Sequence, residues 1–169
     1  MSQEKEHLQI EPAMPADAEA IVIVHFAAVH VTGASAYPIE ILDRWSAPVT
    51  PERIARMERI IRTDPDELVL VARQSGRAIG FGVIVPKNEE LRAVYVHPES
   101  QRLGVGTALL KSLEDLARQH SVKTLNLSSA INVESFYLQH GYESLERGMH
   151  PIGGGIEMAC IKMQKTLAI

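Results

Sequence analysis

Residues 94–108 read Val-Tyr-Val-His-Pro-Glu-Ser-Gln-Arg-Leu-Gly-Val-Gly-Thr-Ala, and no other stretch restricts the fold as tightly. An apolar strand ends at Val96, and Pro98 has no N–H with which to extend a ladder. Arg102-Leu103-Gly104-Val105-Gly106-Thr107 then leads directly into a long amphipathic helix. The chain must therefore pass from strand to helix through a tight turn. Two glycines in such a turn let backbone amides come close to a ligand, because no Cβ stands in the way. The first helical turn adds unpaired N–H donors and a partial positive charge, so the turn is suited to an anion, above all a phosphate.

The flanking elements follow from hydrophobic period. Leu8 to Ile10 reads as a short strand, and Ala16 to Val31 as a mostly buried helix entered through Pro15. Tyr37 to Trp45 is a second helix. Thr50 caps a third, with Pro51 at its first position and Ile54, Met57, Ile60 and Ile61 on one face. Leu68 to Ala72 and Ala78 to Val85 are strands separated by Gln74-Ser75-Gly76-Arg77, a hairpin signal. Glu90 to Val96 completes an antiparallel meander. The helix from about Gly104 to His120 carries Val105, Ala108, Leu109, Leu113, Leu116 and Ala117 on one stripe. Thr124 to Ser128 is the strand that returns from it, expected parallel to the strand ending at Val96. Asn132 to His140 is a short helix ended by Gly141. Tyr142 to Arg147 and Ile156 to Met163 are the last strands, joined by a loop with Gly153-Gly154-Gly155. The pattern is α+β, a mixed sheet with one β-α-β unit at the glycine turn.

Composition narrows the function. With 169 residues, 46% of them hydrophobic, one core and one domain spanning residues 1–169 are expected. A net charge of −4 with both signs interspersed argues against nucleic-acid binding. Cys160 is the sole cysteine, which excludes an intrachain disulfide and fits a reducing, cytoplasmic setting. The apolar run from Ala18 to Val31 is broken by Glu19, His25 and His30. It reads as too short and polar to span a bilayer, and no leader is evident before it. No membrane partner is expected. The histidines lack ligand spacing, so no metal is expected either.

Gln101-Arg102-Leu103-Gly104-Val105-Gly106 resembles the Q/R-x-x-G-x-G/A turn of the GNAT superfamily of acyl-CoA-dependent N-acetyltransferases. Asn132, Phe136-Tyr137 and His140-Gly141-Tyr142 are similar to that family's second signature, at the right distance along the chain. Other phosphate-binding turns match less well. The dinucleotide fingerprint needs a third glycine where Leu109 stands, and the Walker loop needs Gly-Lys-Ser/Thr.

The resemblance implies a mainly antiparallel, mixed sheet with splayed central strands, flanked by helices on both faces. It implies acetyl-CoA as cosubstrate. The amides of Arg102, Leu103, Gly104, Val105, Gly106 and Thr107 would grip its pyrophosphate, and Val94, Tyr95 and Val96 would pair with its pantetheine arm. It further implies direct attack of a primary amine on the thioester, without an acyl-enzyme. Tyr137 would protonate the departing sulfur, and Asn132, also a natural helix N-cap, would lie near the cofactor.

An alkyl amine is mostly protonated near neutral pH, with a pKa of roughly 10.4, so a base is required. Glu90 is the candidate, four residues before Val94, although adjacent Glu89 or a water relay would serve the same chemistry. Simple alternation places Glu90, Arg92, Val94 and Val96 on one face unless a bulge intervenes. The resemblance places the acceptor between residues 31–49 and 150–155, with Tyr37 and Trp45 as wall residues. A small-molecule amine is the expected partner, and an exposed final strand is compatible with a homodimer. The alternative function is a noncatalytic acyl-CoA-binding or sensing module of the same fold; a protein-interaction domain with no coenzyme A affinity is the third.

Overall fold

The computed structural model describes residues 7–168. The strands are β1 (Gln9–Pro12), β2 (Leu68–Gln74), β3 (Arg77–Val85), β4 (Glu90–Val96), β5 (Thr124–Ala130), β6 (Glu143–Gly153) and β7 (Ile156–Thr166). The helices are α1 (Ala18–Thr32), α2 (Ile39–Trp45), α3 (Pro51–Thr63), α4 (Val105–Gln119) and α5 (Glu134–Leu138). One sheet runs in the order β1-β2-β3-β4-β5-β7-β6. Every neighbouring pair is antiparallel except β4 and β5, which are parallel as the sequence predicts.

Local chemistry accounts for the boundaries. Thr50 Oγ1 accepts from the Arg53 amide at 3.2 Å, and Pro51 follows, so α3 starts where expected. Gln74 pairs with Arg77 across a two-residue turn in which Ser75 and Gly76 both have positive φ, the primed geometry that matches strand twist. The second hairpin differs from expectation. Gly153 pairs with Ile156, so the glycine segment is a tight turn at Gly154-Gly155 and β6 extends to meet it. Helix α5 is also shorter than expected, and Tyr37 precedes α2 instead of opening it.

Helices cover both faces of the sheet. On one, Ile21 and Val24 of α1 pack with Val69, Val71, Phe81 and Val83, and α3 adds Met57, Ile60 and Ile61. With its 3-10 ends, Pro15–Ser35 is long and apolar enough by composition to cross a membrane, longer than the run evident in sequence. Here it is this core helix. On the other face, Leu109, Leu110 and Leu113 of α4 pack with Leu70, Ala72 and Ile84. Two glycines of β3 allow that approach: a Cβ on Gly82 would lie 2.3 Å from Leu113 Cδ1, and one on Gly80 3.1 Å from Leu109 Cδ1. Helix α4 therefore lies close to the sheet, which fixes the position of the turn at its start.

Candidate active site

The turn before α4 presents donors to open space. Gly104 has φ +80°, and Arg102 also adopts a left-handed φ of +65°, uncommon for a residue with a side chain. The amide of Ala108 is the first to find a partner in the helix, the Gly104 carbonyl at 3.0 Å. The amides from Arg102 through Thr107 have no acceptor among the described residues. That row of unpaired N–H groups at a helix start is what an anionic group requires. Leu103 is 65% exposed, so it offers its amide and not its side chain.

Beside the turn the sheet opens. Between β4 and β5 the ladder consists of Glu90 opposite Asn126, with the Asn126 amide donating to the Glu89 carbonyl at 2.8 Å. Beyond that pair, the β4 edge toward Val96 has no strand partner on this side. A cleft of about 540 Å³ fills the opening, walled by Val94, Tyr95, Val96, the turn, Asn132 and Tyr137. A second cleft of about 640 Å³ is lined by Glu90, Arg92, His150 and Lys162, with Asn88, Asn126 and Ser128 and a set of apolar side chains around them. Both have Trp45, Tyr95, Leu127 and Ser128 on their walls, so they meet at the gap.

Tyr137 is buried between Phe136 and Tyr142, edge-on to each, and its side chain lines the first cleft. Burial pushes its hydroxyl well above the ordinary phenol pKa, with a smaller contribution from Tyr95. It is therefore a proton donor at neutral pH. Burial likewise pushes Tyr95 up to about 12. Trp45 stands edge-on to Tyr95, with ring centroids 6.2 Å apart.

Three sequence expectations change. Asn132 is not a helix cap: α5 starts after Val133, and the Asn132 amide group donates to the Thr32 carbonyl at 2.8 Å. Gln101 donates to Thr32 Oγ1 at 2.9 Å, so the end of α1 holds both the turn and the segment after β5. Tyr37 lines neither cleft. Its hydroxyl accepts from the Ile131 amide at 2.9 Å and donates to the Ala159 carbonyl at 2.5 Å. It thus supplies one more rung where the β5–β7 ladder ends at Ala130 and Cys160. Finally, β4 carries a bulge. Val83 pairs with Ala93 and Ile84 with Leu91, leaving Arg92 as the extra residue. Leu91, Val94 and Val96 consequently pack with the α4 core, while Ala93 and Tyr95 face α1. Glu90 opens onto the second cleft and does not share a simple alternating face with Val94.

Side chains that sequence reasoning did not select complete the site. His140 Nδ1 donates to the Phe136 carbonyl at 2.7 Å, which leaves Nε2 of the neutral ring to accept from the Thr107 hydroxyl at 3.0 Å. His150 is held below the usual imidazole pKa, chiefly by burial and then by Lys162, with Arg92 acting the same way and Glu90 against it. It opens the 150–155 segment that the family resemblance places at the acceptor. Lys162 gave no signal in the sequence. Among the described residues no group of three or more His, Cys, Asp or Glu is arranged to hold a metal.

Residues 34–167 match the family model for the acetyltransferase (GNAT) domain. Over 98 residues the chain is 32% identical to an IAA acetyltransferase of Azospirillum brasilense, a match covering 55% of this chain and 64% of that relative. A crystal structure of a GCN5-related N-acetyltransferase from Rhodopseudomonas palustris has a TM-score of 0.82 at 26% identity, with 99% of each chain covered. PaiA N-acetyltransferase from Thermoplasma acidophilum, solved in complex with coenzyme A, has a TM-score of 0.75 at 22% identity. That alignment covers 95% of this chain and 99% of the other, and shows likeness of fold.

Proposed function

The chain belongs to the GNAT acetyltransferase family, and on that premise we propose that it transfers the acetyl group of acetyl-CoA to a small-molecule primary amine. The observation that carries this reading is the meeting of two clefts at the β4–β5 gap. One cleft has the unpaired amides and suits a phosphate-bearing cosubstrate; the other holds titratable side chains and suits an amine. The residues fit coenzyme A: the amides of Arg102 through Thr107 take the pyrophosphate. The open β4 edge at Val94, Tyr95 and Val96 pairs with the pantetheine amides as an added strand would. Asn132 borders the same cleft.

The chemistry is direct attack through a tetrahedral intermediate. Glu90, on the amine's side of the gap, takes a proton from the ammonium, directly or through water. The freed amine forms the C–N bond, its nitrogen gives up a second proton to water, and the C–S bond breaks on collapse. Tyr137, on the cosubstrate's side, donates its proton to the leaving thiolate. Trp45 lines the acceptor end.

The reading is tested by calorimetric titration with acetyl-CoA and desulfo-coenzyme A, followed by thiol release with a panel of amines. Micromolar binding that is lost in folded Gly104→Glu or Gly106→Glu variants, together with amine-dependent thiol release, is the expected result. Binding without release for any amine leaves the noncatalytic acyl-CoA module. No binding at millimolar concentration removes both.

A further inference from the structure

The charges in the second cleft do not cancel. Glu90 is the carboxylate on its wall, and it faces two cations, Arg92 and Lys162. Arg92 is already satisfied, because its guanidinium grips Glu90 and also bonds Glu67. Lys162 is not. Its ammonium donates to Ser128 Oγ at 2.9 Å and makes no ion pair among the described residues. Glu146 stands opposite Lys162 in the β6–β7 ladder, yet no carboxylate of this strand pair reaches the ammonium. Instead the side chain runs past Gly148, where a Cβ would come within 3.1 Å of it, toward β5. Ser128 lines both clefts, so Lys162 holds its positive charge at the rim of the gap itself. Asn88, Asn126 and His150 also border the cleft, and the rest of its wall is apolar or aromatic, including Trp45, Leu145, Met158 and Met163.

A plain ammonium entering this cleft meets an uncompensated cation near the point of reaction. A zwitterion does not, because it brings a carboxylate for the unpaired lysine. We propose that Lys162 anchors the carboxylate of the acceptor, and that the acceptor is an amino acid with an apolar side chain. The anchor lies at the gap, so the carboxylate and the reacting amine must be close together, as they are in an α-amino acid. The apolar walls then receive the side chain. A charge-assisted hydrogen bond in a partly desolvated cleft gives the lysine enough to discriminate. This inference rests on the second cleft being the acceptor site.

The test reads binding independently of turnover. Trp45 is the only tryptophan in the chain and lines the cleft, so its fluorescence reports occupancy. With the protein saturated in coenzyme A, leucine, methionine and phenylalanine are each titrated against the corresponding decarboxylated amine. At least one amino acid is expected to bind ~10-fold or more tightly than its amine. Lys162→Met should bring that ratio close to one, and Lys162→Arg should retain most of it. Equal binding across every pair, or a preference that survives Lys162→Met, overturns the proposal. Thiol release followed in parallel separates the two readings. A carboxylate preference without acetyl transfer removes the catalytic function and leaves the anchor. Transfer to amines with no carboxylate preference removes the anchor and leaves the function.

Discussion

The Arg92 guanidinium holds the Glu90 carboxylate from two residues away on the same strand, with Nη2 2.9 Å and Nε 3.1 Å from Oε1. The two residues flank Leu91 at the point where the bulge shifts the β3–β4 register. The guanidinium's grip fixes the carboxylate in orientation at the mouth of the second cleft.

Glu90→Gln keeps the shape of the side chain and one oxygen to accept from Arg92, and removes its charge and its ability to take a proton. In steady-state assays kcat/KM for the amine should fall by about 10²–10³, in the range of a lost general base. Acetyl-CoA affinity measured by calorimetry should stay within about threefold, because Glu90 does not line the first cleft. Equal losses in both quantities would show that Glu90 acts on the framework and not on the proton.

Tyr137→Phe should leave folding almost untouched, since the Tyr137 hydroxyl has no hydrogen-bond partner among the described residues. The ring packing against Phe136 and Tyr142 survives the change. Turnover should drop by about 10–10³-fold. Burial raises this phenol above its ordinary value, so the acid form persists throughout the range from pH 7 to 10. The wild-type rate should therefore show no alkaline fall attributable to Tyr137 below pH 10. A pH–rate profile checks this directly.

His25 makes the fold acid-sensitive. It is enclosed by α1, α2 and α3, with Nδ1 2.8 Å from Ser46 Oγ and 3.4 Å from Arg53 Nη2, and its ring is edge-on to Tyr95. Burial, then Arg53 and His30, lowers its pKa from 6.5 to about 4. The folded state holds the neutral ring, whereas the unfolded chain protonates near pH 6.5. The stability contribution is complete above that value and is lost as pH falls toward 4, by roughly 3 kcal/mol. Urea unfolding at pH 7 and pH 4.5 should resolve the loss, and His25→Gln should flatten the dependence in that window.

Gly82→Ala should destabilise the protein by about 1–3 kcal/mol. The added methyl meets Leu113 Cδ1 at 2.3 Å and the Ala93 carbonyl at 3.0 Å, inside a fully packed layer. Leu113 is fully buried, so the clash is expected to push α4 outward and move the amides at its start. Coenzyme A affinity should therefore fall in a variant that has no contact with the ligand. Thermal melts and calorimetry on one preparation test both effects.

Elements set by neighbouring residues were legible in the chain. Thr50-Pro51 announced a helix, Ser75-Gly76 a hairpin turn, and Gly104-Val105-Gly106 a tight turn from strand into helix, because each depends on backbone preferences within a few residues. The parallel placement of β5 followed from the helix before it. What escaped depends on distant partners. Tyr37 bonds atoms 94 and 122 residues away, and no periodicity announces that. The bulge at Arg92 is decided by how Val83 and Ile84 pair, so alternation read from β4 alone misplaced Glu90. Glu114 lies on the buried stripe of α4, because Lys165 and Tyr142 bond it there at 2.9 Å and 3.1 Å. A charge in that position reads as solvent-facing until its partners are seen.

Because β4 and β5 share one bridging pair, the molecule consists of two separate ladders. Strands β1 to β4 form one, and β5 to β7 the other; each is zipped by antiparallel neighbours and closed by hairpins. Helix α4 spans them and Thr32 clasps the loops beside them, but the backbone between them is a seam. Slow amide exchange should therefore appear as two blocks with separate opening rates. The Leu91–Val96 edge should be the least protected part of the central sheet. A ligand whose own amides complete that edge would merge the blocks into one, so that occupancy would be visible as cooperativity of the whole chain.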